Sequence, residues 1–245
     1  MNRLAPFLLS LRPGWLHIHS SCLFCGGQTA SRLSLCHGCE TDLPWLGSQC
    51  SVCAIPLATQ GLACGACLKK PPAFERVEAP WRYGFPLDSA INRFKHRRQW
   101  PLGRLLADLQ ARHLLHAFDE GAPRPSLLIP VPLTKKRQRQ RGYNQAAMLA
   151  HWIGKPLGIP IADQALQRTQ DTPAQQGLDA AQRWRNLREA FEVHDAKVIR
   201  NRHIALVDDV LTTGATAEAL ARLLRREGAL RVDVYCLART PRPGD

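Results

Sequence analysis

Apolar residues recur along the latter two thirds of the chain with two alternating periods. Leu102, Leu105, Leu106 and Leu109 follow Pro101 at the spacing of one helix face, and proline suits a first helical turn. Leu127-Leu128-Ile129 is a short apolar run ending in Pro130-Val131-Pro132, which predicts a buried strand. Ala146, Leu149, Ala150 and Ile153 mark another helix, with Gly154 or Gly158 near its end. His203–Val207 predicts a second strand running into a polar loop. Ala217, Leu220, Ala221 and Leu224 then predict a helix stopped by Gly228, and Val232–Leu237 a third strand. Strands alternating with helices predict an α/β fold whose parallel sheet is covered on both faces. Ligands of such sheets bind beyond the carboxyl ends of the strands.

The first third of the chain follows a different rule. Eight of the nine cysteines form Cys-x-x-Cys pairs at Cys22/Cys25, Cys36/Cys39, Cys50/Cys53 and Cys64/Cys67. Adding 28 to each of the first four positions gives the second four, so one unit is duplicated. Two such knuckles supply the four thiolates of a tetrahedral Zn²⁺ site, and two copies predict two structural sites. Pairing can run within each repeat or cross from the first knuckle to the third. A bound metal would supply the folding free energy that so few large apolar residues cannot. The ninth, Cys236, sits in the third strand and is expected to be buried. Lys69-Lys70-Pro71-Pro72 reads as a stiff linker. The predicted organisation is a leading segment over 1–21, a double zinc ribbon over 22–67, a linker over 68–80 and the α/β domain over 81–245.

Bulk properties narrow the partners. With 33 Lys and Arg against 20 Asp and Glu, the formal charge of +13 favours nucleic acid, phosphorylated metabolites or acidic headgroups. The longest apolar stretches fall short of the roughly 18 residues of a membrane span. Leu4–Leu11 contains Pro6 and precedes Arg12-Pro13, so it reads as a leading amphipathic segment and not a secretion signal. A cytoplasmic location is expected, where thiols favour zinc over disulfides.

The chemistry concentrates after the second strand, in Ile204-Ala205-Leu206-Val207-Asp208-Asp209-Val210-Leu211-Thr212-Thr213-Gly214-Ala215-Thr216. Backbone N–H groups at a helix start, beside the hydroxyls of Thr212, Thr213 and Thr216, make an anion cradle. Gly214 allows close backbone approach, while Ala215 lies within the same turn. Asp208 and Asp209 would repel a phosphate, so they suit sugar hydroxyls, directly or through Mg²⁺. A loop that takes both a phosphate and a diol recognises a phosphoribosyl group. The stretch closely resembles the phosphoribosyl pyrophosphate motif of type I phosphoribosyltransferases.

Further segments carry a wider resemblance. Pro130-Val131-Pro132-Leu133, Arg141-Gly142-Tyr143-Asn144-Gln145, Arg168-Thr169 through Gln175, Arg183, Asn186, Ala190-Phe191, Phe94-Lys95 and the cysteine-rich start together resemble the ComF family. The resemblance implies a type I phosphoribosyltransferase-like sheet behind a small double zinc ribbon, and an association with DNA uptake or with the use of external DNA. It implies that the loop after Val131 contacts pyrophosphate, with Arg141 the first anion contact and Lys135 or Lys136 the second. It also implies that Arg168–Arg188 is a lid over the substrate, to which Arg183 and Arg185 add charge. Asp208, Asp209 and Arg141 are then the expected catalytic residues. Val131, Lys135 and Thr212–Thr216 are the expected substrate contacts, and phosphoribosyl pyrophosphate with Mg²⁺ the expected ligand. The alternative is a non-catalytic adaptor that senses the same ligand and binds single-stranded DNA or an uptake partner, with Trp81, Tyr83, Phe85 and Trp100 near His96-Arg97-Arg98 stacking bases. Neither the acceptor nor the oligomeric state is readable.

Overall fold

The computed structural model describes residues 20–31, 33–59, 61–169 and 190–241, which fall in two compact units, 1–41 and 42–245. The leading segment Leu4–Leu11, and most of the stretch read as a lid, with Arg183, Trp184 and Arg185, lie outside the described residues. In the small unit, strands β1 (Ser20–Ser21) and β2 (Gln28–Thr29) pair antiparallel, and a short helix α1 (His37–Thr41) follows.

The large unit begins with the second cysteine repeat and its helix α2 (Gly65–Lys69). Strands β3 (Arg76–Glu78) and β4 (Trp81–Arg82) lead to helices α3 (Leu87–Arg97) and α4 (Trp100–Asp119). Strand β5 (Leu127–Pro130) is followed by helices α5 (Lys135–Arg141) and α6 (Gln145–Leu157). A small hairpin pairs β6 (Leu166–Arg168) with β7 (Phe191–Val193), and β8 (His203–Leu211), α7 (Ala215–Arg226) and β9 (Arg231–Arg239) complete the chain. The main sheet has the order β3-β9-β8-β5, with β4 pairing the far end of β9, and all its pairings are parallel. Its centre is apolar on both faces, as parallel strands require: Ile204 to Val207 and Val232, Val234 and Leu237 are buried. Cys236 is buried in β9. Among the described residues, no helix is long and apolar enough to cross a membrane.

Four features depart from the expectations. The run read as ending at Val207 continues to Leu211, because its pairing with β9 persists through Asp208↔Cys236 and Leu211↔Arg239; both aspartates therefore sit in the strand and not in the loop after it. The stretch read as linker contributes β3 to the sheet, where Val77 is buried and donates to the carbonyl of Val52 at 2.9 Å. The basic stretch after β5 is a helix, capped by Thr134, whose hydroxyl accepts from the Arg137 amide at 3.2 Å, and ended by Gly142 at φ +83°. Finally, the second cysteine repeat belongs to the large unit, since Val52, Cys53 and Ala54 pack into its main core.

Candidate functional site

Each cysteine repeat gathers its own four sulfurs. Cys22, Cys25, Cys36 and Cys39 form one cluster and Cys50, Cys53, Cys64 and Cys67 the other, with all ligand atoms in a cluster within 4.8 Å of one another. Pairing is thus within repeats. The Cys25–Cys36 and Cys53–Cys64 sulfurs are 3.8 Å apart, the edge of a tetrahedron with Zn–S bonds of about 2.3 Å and far beyond the ~2.05 Å of a disulfide. The amides of Cys53 and Cys64 donate to the Cys50 sulfur at 3.5 and 3.2 Å. Burial pushes the Cys50 thiol up, but these amides prevail and bring it down to about 6, in favour of the thiolate. Both donor sets fit zinc.

The second centre lies at the carboxyl end of β8. Asp209 is buried, and its Oδ2 stands 2.9 Å from Lys95 Nζ on α3. The carboxyl of its neighbour Asp208 is pushed up to about 8, by burial first and by the Asp209 charge second. After Leu211 the chain leaves the sheet through exposed Thr212 and Thr213. Gly214 then turns it at φ +78° into α7, where no side chain caps the helix. The Ala215 amide of the first turn donates to the Thr213 hydroxyl at 3.3 Å. Thr216 is half-buried in that turn.

The Arg-Gly-Tyr-Asn-Gln segment frames this centre. Arg141 ends α5, and its Nη1 is buried with no hydrogen-bond partner among the described residues. The Tyr143 hydroxyl donates to the carbonyl of Phe94, next to Lys95. Burial raises the Tyr143 phenol, while the charges of Arg141 and Arg98 lower it. Asn144 caps α6 through the Ala146 amide and donates to the Val131 carbonyl at 3.1 Å, fixing the turn after β5. Val131 itself is buried and donates to the Val207 carbonyl at 2.9 Å. Lys135 is exposed on α5 and lines a cavity of about 1150 Å³ with Asn144, Trp152, Asp163 and His194.

Lys95 is the residue that sequence reasoning left without a role. Its signal was present in the pair Phe94-Lys95, but only the fold carries α3 to the end of β8. Tyr143 and Asn144 were likewise unassigned; they act by holding Phe94 and Val131.

Comparison with known proteins agrees with this architecture. A double zinc ribbon domain matches residues 18–68 and a phosphoribosyl transferase domain residues 142–244. The chain is 35% identical to DNA utilization protein YhgH of Salmonella typhi, over 92% of its own length and 99% of that protein. It is also 35% identical to competence protein F of Haemophilus influenzae, covering 89% of this chain and 96% of that one. Among solved structures, adenine phosphoribosyltransferase from Saccharomyces cerevisiae is similar with a TM-score of 0.37 at 17% identity, over 58% of this chain and 70% of that one.

Proposed function

The chain belongs to the ComF family, whose members join a double zinc ribbon to a phosphoribosyltransferase domain, and on that premise we propose that it binds phosphoribosyl pyrophosphate with Mg²⁺ at the end of β8 and transfers the phosphoribosyl group to a nitrogenous acceptor. One observation carries the reading: an aspartate pair of which Asp209 is tethered to Lys95, a helix start without a side-chain cap, and an Arg141 Nη1 without a partner among the described residues belong to one strand–loop–helix unit and the elements around it. Amides of Gly214 to Thr216 would take the 5-phosphate. Asp208 and Asp209 would accept from the ribose hydroxyls and hold the metal, which would neutralise the charge of the pyrophosphate.

The acceptor displaces pyrophosphate at C1 of the sugar, through a transition state with oxocarbenium character by analogy with glycosyl transfer. Positive charge gathers on the ribose and negative charge on the leaving group. Arg141 is suited to the latter and the aspartates to the former, so the protein contributes position and charge more than proton transfer.

Calorimetric titration of phosphoribosyl pyrophosphate with Mg²⁺, combined with pyrophosphate detection as candidate bases are added, tests the proposal. Binding with base-dependent release is expected, and Asp208→Asn with Asp209→Asn should abolish both. Binding without release under any base would favour a sensing adaptor, and no binding would overturn the reading.

The adaptor reading has one observation in its favour. Trp100, just after the basic end of α3, is 49% exposed, Phe85, before its start, is 84% exposed, and Lys135 to Gln140 are exposed throughout. Trp81 drops out of the stacking set, since it is fully buried against Trp45 with ring centroids 5.3 Å apart. Single-stranded DNA binding through this surface should weaken steeply with salt and survive the aspartate changes; a shallow salt dependence would count against it.

A further inference from the structure

The phosphoribosyl loop and the second cysteine cluster share a single buried cation. Arg239, the last residue of β9, is 6% exposed. Its Nε donates to the Cys53 carbonyl at 2.9 Å, and its Nη1 donates to the carbonyls of Leu211 at 3.0 Å, Thr240 at 2.8 Å and Thr212. One guanidinium thus joins a metal knuckle to the two residues at which the chain leaves β8.

We propose that Arg239 is a positioning residue that locks the phosphoribosyl loop to the second zinc knuckle, so that the order of the loop depends on metal at Cys50, Cys53, Cys64 and Cys67. The inference rests on the function proposed above only for its effect on ligand binding.

Three physical arguments support it. Arg239 is positively charged and buried, and its hydrogen bonds go to backbone carbonyls, which carry no formal charge to balance it. A Zn²⁺ ion with four thiolates carries two net negative charges, and Cys53 belongs to that set. Metal loss would therefore change the negative charge next to Arg239 while loosening the Cys53 carbonyl that holds it.

The second argument is geometric. A cavity of about 450 Å³ is lined by Cys53 and Cys67 on the ribbon side and by Thr213 and Gly214 on the loop side. Across that space the knuckle does not pack directly on the loop, so the hydrogen bonds of Arg239 are a direct link between them. Glu218 supplies a parallel brace in the first turn of α7: its Oε2 accepts from the Ala73 amide at 2.6 Å, and its Oε1 from Arg222 at 2.7 Å.

The third concerns chemistry that lysine cannot copy. An ammonium lacks the planar fork needed to reach the knuckle and the loop in opposite directions. Arg239→Lys should therefore restore only part of what Arg239→Met loses.

Hydrogen exchange of the peptide spanning 208–218 in the zinc-loaded full chain tests the coupling, with zinc content measured in each variant. Arg239→Met is expected to raise exchange there by roughly tenfold, as loss of one charged hydrogen-bond group implies, and Arg239→Lys by less. Chelating zinc from the wild-type protein, or changing Cys64 and Cys67 to Ser, should raise it similarly, and Arg239→Met should then add nothing, the mark of a shared pathway. Cys36→Ser, which disables the other cluster, should leave it unchanged. Unaltered exchange at 208–218 in zinc-loaded Arg239→Met, or full additivity with zinc loss, would overturn the proposal. Affinity for phosphoribosyl pyrophosphate with Mg²⁺ should fall in parallel with exchange. Should the wild-type protein bind none, the functional reading fails while the exchange result still decides the coupling.

Discussion

Asp208 and Asp209 are neighbours in one strand yet stand in different electrostatic settings. Asp209 has a cation, Lys95, at 2.9 Å. Asp208 is desolvated beside the Asp209 charge, and its carboxyl is raised from the ordinary 3.8 to about 8. The sign of the consequence follows from linkage: a carboxyl that holds its proton more tightly when folded lowers stability as pH rises from near 4 through 8. Asparagine at 208 escapes that penalty. The melting temperature of zinc-loaded Asp208→Asn without Mg²⁺ should accordingly exceed that of the wild type under the same conditions by a few degrees at pH 8, and the gap should close toward pH 5. A gap independent of pH would mean that the carboxyl is not strained by ionisation. At this scale the motif residues were legible because acid pairs followed by Thr-Thr-Gly are rare in ordinary helix starts. Lys95 was not, since its role depends on a contact across 114 positions of sequence, and nothing local distinguishes it from other surface lysines.

Lys95 reaches the site because α3 and α4 pack closely, and that packing rests on one small residue. A Cβ at Gly103 would lie 2.5 Å from the ring of Phe94, which is fully buried and adjacent to Lys95. Gly103→Ala should cost about 1–3 kcal/mol by overpacking, measured by denaturant unfolding. Affinity for phosphoribosyl pyrophosphate should fall as well if the buried Phe94 ring yields by moving α3 and Lys95 with it. Unchanged affinity in a destabilised variant would show that Lys95 is held independently of this contact. Periodicity revealed α4, α6 and α7 but not α5, whose Lys, Arg and Gln residues have no buried face and whose caps, Thr134 and Gly142, are the only local signs of a helix. Strand β8 was read too short for a related reason: the continuous apolar run stops at the aspartates, whereas the backbone ladder with β9 continues to Leu211.

For the molecule as a whole, the duplicated cysteine spacing revealed two metal sites but not that they serve different bodies. The second site is built into the large unit: the Val77 amide donates to the Val52 carbonyl at 2.9 Å, the Leu46 amide to the Pro80 carbonyl at 2.7 Å, and the Arg82 amide to the Pro44 carbonyl at 2.8 Å. Spacing alone could not reveal this, because identical knuckles carry no information about what they pack against. The two sites should therefore fail differently. Cys67→Ser removes a ligand from a site whose neighbours Val52, Cys53 and Ala54 belong to the main core, and should lower the melting temperature of the large unit by on the order of 10 °C. Cys36→Ser should melt the 1–41 unit and leave the main transition in place. Calorimetric scans of both variants, with zinc quantified before heating, distinguish these outcomes. Equal shifts from both would mean that the two units melt as one, and the division at residue 41 would then describe packing density and not cooperativity.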